Sequence, residues 1–373
     1  MASYLVASNL PQQRTQAIAA ARQQVLQERA ATASGLTAPW VERSWQRCLQ
    51  LGLDPQQRVQ FDVISPVQRA QTQEVNQRLL QSAKGIMQGL GKAIANTGYF
   101  AILTNADGVV LDTSGPIDDS DLRASLITRI GTDLSERAIG TTAISTALAE
   151  QQPVWLHRGE HFLLDNAHYT CAGAPLFDPE GHCMGMLDLT GVDVPERTEL
   201  KHLVMQSAAQ IENALVLSTQ HKLLLRLNWP GHGLGSTADA LLGLDADGFV
   251  SGANSVARQI VPGLRPGAHA NELFGLPYQA LFDAAQRSDA TLDVALVNGL
   301  RLRALATRTA QDLGHGSHAV HQPSGVPIRQ MQASMIRQAM EQAGGNVTEA
   351  AQALGISRAT LYRKLGHRDS NAG

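Results

Sequence analysis

The sequence predicts a multidomain α+β protein that ends in an all-α segment, and three observations carry that expectation. Its 373 residues, at about 150 per domain, give room for two or three compact units. Three apolar runs fold back on themselves around Gly-ended turns, as β-hairpins do: Tyr99–Leu103 with Val109–Leu111, Ala174–Phe177 with Cys183–Leu187, and Leu241–Leu244 with Phe249–Val250. The last forty-odd residues instead show helical spacing with glycines at the joints.

Composition narrows the class. Hydrophobic residues at 43% and charged residues at 17% suit a folded chain and exclude disorder as the dominant state. A formal net charge of −3 argues against a polybasic membrane binder or a wholly cationic nucleic-acid coat, so any charge bias must be local. Three cysteines, Cys48, Cys171 and Cys183, form no disulfide framework, and the odd count suits a reducing compartment. The N-terminus lacks a basic stretch followed by an apolar core, and no window approaches the roughly 18 apolar residues of a membrane span. The expected location is the cytoplasm, away from the membrane.

Along the chain, residues 12–30 are rich in Gln, Ala and Arg, with Ala17, Ile18, Ala21, Val25 and Leu26 at helical spacing, and predict a helix. A second should run from Pro39 through Trp40, Val41, Trp45, Cys48 and Leu49 until Gly52 and Pro55 stop it. Residues 66–96 read as a third. Between the first two hairpins the pattern predicts a helix over Ser135–Glu150 and a strand at Pro153–Leu156, and after the second hairpin one long helix from Pro195 to about Arg226. Strands enclosed by helices in this way give an α+β domain. Beyond the third hairpin come a short helix near Asn254–Ile260 and two strands, Thr291–Val297 and Leu300–Ala306, joined by Asn298-Gly299, a strong hairpin signal. The expected division is a helical segment at 1–60, a sensor domain at 61–222, a helix and second sensor-sized unit at 223–310, a flexible Gly/Ser/Pro/His linker at 311–328 and a helical domain at 329–368.

That last domain holds the sharpest signal. Met331, Met335, Ile336 and Ala339 share a helix face that ends at Gly344-Gly345; Asn346 caps a second helix, with Glu349 reaching back as in a capping box. Gly355 turns the chain, Ile356 plugs the core, and Ser357 caps a third helix that buries Leu361 and Leu365 and leaves Arg358, Thr360, Tyr362, Arg363 and Lys364 outside. Two helices joined by a short Gly-containing turn describe a helix-turn-helix, whose second helix fits a DNA major groove. Residues 329–368 hold six basic and two acidic groups, net +4, leaving −7 on the remainder.

The run Gly345-Asn346-Val347-Thr348-Glu349-Ala350-Ala351, then Leu354-Gly355-Ile356-Ser357-Arg358-Ala359-Thr360-Leu361-Tyr362-Arg363-Lys364-Leu365, resembles the Fis-type DNA-binding domain over about forty residues. The resemblance implies a homodimer joined through Met331–Ala343, with Ser357, Arg358, Thr360, Arg363 and Lys364 facing inverted-repeat, double-stranded DNA. Upstream, Ser44-Trp45-Gln46-Arg47-Cys48, Gly52-Leu53-Asp54-Pro55, Gly140-Thr141-Thr142-Ala143 and Cys171-Ala172-Gly173-Ala174-Pro175 to Leu187-Asp188-Leu189-Thr190-Gly191 are similar to the GAF sensor region of the acetoin-catabolism regulator family of bacterial enhancer-binding activators. Residues 235–310 look more weakly like a PAS domain. The implied fold is a GAF-like α/β sensor, a smaller PAS-like α+β domain and an all-α Fis-type helix-turn-helix. Such regulators normally carry a central AAA+ ATPase that remodels sigma-54 polymerase. Here no Gly-x-x-x-x-Gly-Lys-Ser/Thr phosphate loop occurs, and neither does the sigma-contacting Gly-Ala-Phe-Thr-Gly-Ala sequence. The expectation is therefore a ligand-responsive transcription regulator without ATP-driven promoter opening and not an enzyme, with RNA polymerase a further partner of such a protein.

The candidate effector residues are Trp155, His161, His168, Cys171 and Asp188. If the turn at 178–181 joins strands with 177 opposite 182, then Cys171 stands opposite Asp188, Gly173 opposite Met186, Pro175 opposite Met184, and Cys183 opposite Leu176 on the other face. A Cys171–Cys183 disulfide is then disfavoured, and the carboxylate raises the Cys171 thiol pKa. Two alternatives stay open: a thiol enzyme resembling the GAF-type methionine sulfoxide reductases, with Cys171 as nucleophile, or a metal or redox sensor built on His161, His168, Cys171 and Asp188. Ordinary polar pocket contacts are the preferred reading, so no metal and no cofactor is assigned. His315, His318 and His321 read as part of a solvated connector.

Overall fold

Helical and strand-forming stretches alternate through the first 308 residues and build two sheets, each with its own apolar core. The computed structural model describes residues 2–28, 34–286, 291–308 and 347, and the residues up to Arg308 fall in one compact unit, Met1–Asp312. The expected linker at 311–328, with its histidines, lies outside the described residues. So does the helix-turn-helix at 329–368, Val347 excepted, and with it Ser357, Arg358, Thr360, Arg363 and Lys364.

Helix α1 (Ala2–Arg22) continues into one π-helical turn, Gln23–Gln27, and α2 spans Pro39–Gln50 with the proline in its first turn. Val41, Trp45 and Cys48, spaced four and three apart, are fully buried. The expected helix over 66–96 is two: α3 (Pro66–Val75), started by a Ser65–Gln68 capping box, and α4 (Gln77–Ala93). The break is at Asn76, whose side-chain amide turns back to donate to the Thr72 carbonyl at 2.8 Å.

Strands β1 (Tyr99–Asn105) and β2 (Val110–Ser114) form the first hairpin. After α5 (Leu122–Ile127), the expected helix over 135–150 is likewise split, into α6 (Glu136–Ile139) and α7 (Ala143–Glu150). Gly140 stops the first at φ 69°, and Thr142 caps the second. Strands β3 (Val154–His157), β4 (Tyr169–Phe177) and β5 (Cys183–Val192) complete an antiparallel sheet in the order β2-β1-β5-β4-β3. Alternate residues face opposite ways. Phe100, Ile102, Tyr169, Cys171 and Met186 pack with α1, α2 and α7, whereas Tyr99, Leu103, Ala172, Leu187 and Leu189 pack with α4 and α8 (Leu200–Leu217).

The β4–β5 register differs from the expected one by two residues up to Leu176 and by one at Phe177. Cys171 faces Thr190, Gly173 faces Asp188, Pro175 faces Met186, and Phe177 faces Cys183. The connecting loop is one residue longer, closed by the Asp178 N–H on the His182 carbonyl at 2.9 Å, and a bulge between Leu176 and Phe177 adds another. Up to Leu176 the slip of two leaves each side chain on its face, so Cys171 and Asp188, expected opposite one another, are diagonal neighbours on the same face.

The expected helix from Pro195 to Arg226 ends at Leu217, and Leu223–Asn228 is instead strand β6. Its odd-numbered leucines enter the second core while Leu224 packs on Val216 and Leu241. A strand apolar on both faces cannot be told from a buried helix by periodicity. β6 is the middle of the second sheet, ordered β8-β7-β6-β10-β9. Its other members are β7 (Ala240–Leu244), β8 (Val250–Ala253), β9 (Thr291–Ala295) and β10 (Arg301–Arg308), with α9 (Ser255–Ile260), α10 (Ala270–Leu273) and α11 (Tyr278–Ala284) between them.

Candidate ligand cavity

On the α7 side of the first sheet is an enclosed void of about 10 Å³, room for about one water molecule. Its floor is β4 and β5, with Tyr169, Cys171, Asp188 and Thr190; its wall is the start of α7; its roof is the 158–168 segment, with His161 and Asn166. Gly173 permits this closeness, because a Cβ there would meet Met186 Cε at 2.5 Å and the Ala143 carbonyl oxygen at 3.1 Å.

The polar groups form a chain. Thr190 hydrogen-bonds Asp188 Oδ2 and lies 3.2 Å from Cys171 Sγ, which is 3.7 Å from His161 Nε2. His161 Nδ1 sits 2.8 Å from the Arg158 carbonyl, an acceptor, so Nδ1 carries the proton and Nε2 is left as an acceptor. Burial drives each titration toward the neutral form. It raises Asp188 to about 7, against the pull of the Thr190 bond; it lowers His161 to about 4; and, with Asp188 adding to it, it lifts the Cys171 thiol well above its usual value.

The roof is held from above. Arg22, last residue of α1, donates to the carbonyls of Gly159 at 2.9 Å, His161 at 2.5 Å and Phe162 at 2.9 Å, and its guanidinium lies over the Trp45 ring at 5.6 Å. Trp45 Nε1 donates to the Glu160 carbonyl at 2.8 Å. Four consecutive carbonyls are thus held by two side chains from the N-terminal helices. Arg14 adds ion pairs to Glu160 and Glu196. Ser44 and Cys48 of α2 reach Thr141 at 2.7 and 3.4 Å, tying α2 to the loop before α7.

Residues 14–213 match the family described as "MimR, N-terminal domain". The chain belongs to that family. Residues 327–366 match a second, "Bacterial regulatory protein, Fis family". The chain is 32% identical over 251 residues to the acetoin catabolism regulatory protein of Cupriavidus necator, covering 65% of this chain and 37% of that one. It is 27% identical over 184 residues to the propane 2-monooxygenase operon transcriptional activator MimR of Mycolicibacterium goodii, covering 48% and 30%. It thus spans about a third of the length of these relatives. Among solved structures, the E. coli DhaR(N)–DhaL complex is similar over 73% of this chain and all of that one, at 16% identity and a TM-score of 0.46. Between β10 and the Fis-family match lie only residues 309–326, too few for an ATPase domain, and the chain carries none in that position.

Within the MimR N-terminal region the structure brings together three of the five expected effector residues, His161, Cys171 and Asp188. Trp155 and His168 lie outside the cavity. The Trp155 ring belongs to the opposite core, with Nε1 donating to Glu196 at 2.6 Å, and His168 pairs with Asp193 at 2.9 Å on the surface. Among the described residues, no three His, Cys, Asp or Glu side chains are placed to hold a metal ion. Cys171 is 4% exposed and protonated at neutral pH, the opposite of what a nucleophilic thiol needs. Of the lining residues that were not foreseen, Thr190 is two positions from Asp188 and so on the same face, and Thr142 lies in the Gly140–Ala143 motif. Asn166, at the end of a single 3-10 turn, Leu164–Asn166, 22 residues before Asp188, carries no periodic signal.

Proposed function

We propose that this chain is a transcription regulator that binds inverted-repeat DNA as a homodimer through residues 329–368 and is controlled by a small effector held near His161, Cys171 and Asp188. The observation that supports it best is the pairing of a MimR N-terminal match with a Fis-family match on one chain. Three relatives are named for control or activation of transcription, and a fourth as a regulatory protein. In this reading the first sheet is a GAF-like sensor, the second a PAS-like unit, and 311–328 the linker. Without an ATPase between sensor and DNA-binding segment, the protein acts by occupying DNA or by contacting RNA polymerase, not by ATP-driven sigma-54 remodelling. Among the described residues no helix is long and apolar enough to cross a membrane, in keeping with action in the cytoplasm.

Ser357, Arg358, Thr360, Arg363 and Lys364 then face the duplex, and two-fold symmetry dictates a palindromic site. Selection of random duplexes by the full chain should enrich an inverted repeat. Arg358→Ala or Arg363→Ala should weaken binding to it by about 1–3 kcal/mol and relax preference at one base pair per half-site. Failure to enrich any repeat, or equal binding by both variants, would refute the assignment.

A further inference from the structure

The cavity at Asp188 is polarised, and its polarity defines the chemistry of what can enter. Two of its side-chain oxygens, Asp188 Oδ1 and Asn166 Oδ1, have no hydrogen-bond partner among the described residues. Both residues are 0% exposed and both line the void. Leaving a buried acceptor unpaired is costly, so such oxygens are as a rule matched by something.

The donors nearby are committed elsewhere. Asn166 Nδ2 donates to the Ile139 carbonyl at 3.0 Å, which also fixes its amide orientation with Oδ1 as the acceptor. Thr142 engages Ser145 at 3.3 Å, and the Tyr169 hydroxyl donates to the Arg123 carbonyl at 3.2 Å. When Asp188 is neutral its proton belongs on Oδ2, donating to Thr190 Oγ1, whose own hydrogen then goes to Cys171 Sγ, so Asp188 Oδ1 is an acceptor in either state. His161 donates outward to Arg158 and turns its lone pair to Cys171. Of the side-chain groups named, those left facing the void are acceptors, set among isoleucine side chains. A carboxylate, phosphate or simple ketone would set oxygen against oxygen there.

We propose that the cavity takes a small ligand presenting at least two hydrogen-bond donors, hydroxyl or ammonium hydrogens, to Asp188 Oδ1 and Asn166 Oδ1. This rests on the reading of the cavity as the effector site and adds to it the class of effector. A void of about 10 Å³ admits nothing beyond about one water molecule while the roof is closed. Entry therefore lifts the 158–168 segment that Arg22 and Trp45 hold, which is how occupancy would reach α1 and α2.

The test is calorimetric titration of the full chain with four probes of similar size: ethane-1,2-diol, 2-aminoethanol, acetone and acetate. The expected result is binding of the diol, the amino alcohol or both at least about tenfold tighter than acetone or acetate, and loss of that preference in Asp188→Leu. Should Asp188→Leu fail to fold, Asn166→Leu serves in its place. Binding of the diol assigns hydroxyl donors; binding of 2-aminoethanol alone, with proton release that grows as pH falls below neutrality, assigns an ammonium. Equal or tighter binding of acetone or acetate overturns the proposal. So does the absence of binding by all four, which would leave the two oxygens to a structural water. Duplex selection with the same preparation separates the two failures: enrichment of a repeat without donor-selective binding removes only the ligand class.

Discussion

Asp188 and His161 are held neutral by the same enclosure, and they load the pH dependence of folding in opposite directions. Asp188 titrates at about 7 when folded against 3.8 for the free group. Between those values the folded chain keeps a proton that the unfolded chain releases, so this group's stability contribution is lost as pH rises. His161 titrates at about 4 against 6.5; there the unfolded chain takes up a proton that the folded one lacks, so stability is lost as pH falls. The two oppose each other between about pH 4 and 6.5, and only Asp188 acts above that. Asp188→Asn removes one of them at little change in shape. Its stability relative to the unsubstituted chain should be about 2–3 kcal/mol more favourable at pH 8 than at pH 5. Urea denaturation at the two values measures this, and an equal difference at both would mean that Asp188 is not held protonated.

At the scale of elements, α1 and α2 are the outer half of the cavity roof, because Arg22 and Trp45 together hold the carbonyls of residues 159–162. Burial lowers Arg22 to about 10, so it stays charged at neutral pH and its bonds are charge-assisted. Arg22→Ala would strand three carbonyls at once. The expected cost is about 3 kcal/mol in chemical denaturation, with faster amide hydrogen exchange across 159–163; unchanged exchange there would show that the roof is held by something else. This job was only half legible in the sequence. Ser44–Cys48 could be quoted as a motif and the helix read from its spacing, but Trp45 meets its partner 115 residues away, and no local pattern encodes that distance. The same limit explains the β4–β5 register. Alternation identified the faces correctly, while loop length and bulge, which set the offset, leave no periodic trace. The Fis-family match at 327–366 was the reverse case: the residues that suggested it lie within a few positions of one another in the sequence, so that pattern is complete at short range.

Across the residues up to Arg308, the two sheets are fastened by α8 and by the β4–β5 turn. Glu212, buried in α8, accepts from Phe177 N of the first sheet at 3.1 Å and from Ser255 N at the start of α9 at 3.0 Å. Asn213 beside it accepts from Asn254 Nδ2 at 2.7 Å. Arg258 donates to the carbonyls of Asp178 and Ala253, and Ala253 N–H donates to the Pro179 carbonyl at 2.9 Å. Most of these bonds join the first sheet or α8 to the second at buried or partly buried positions, so opening one sheet alone would leave several polar groups unpaired on the other. Cooperative units form where such costs are shared. The two sheets should therefore unfold together: fluorescence from Trp45 or Trp155 in the first and from Trp229 in the second, each read in a variant keeping only that tryptophan, should give superimposable urea transitions. Glu212→Ala leaves two backbone N–H groups without their acceptor, a loss of about 2–4 kcal/mol that falls on the junction and not on either core. The expected result is separation of the transitions, with the second sheet melting first because it lacks the double helical cover that α4, α8, α2 and α7 give the first. Coincident transitions in Glu212→Ala would mean that the apolar contact of α8 with the second sheet alone binds the two into one cooperative body.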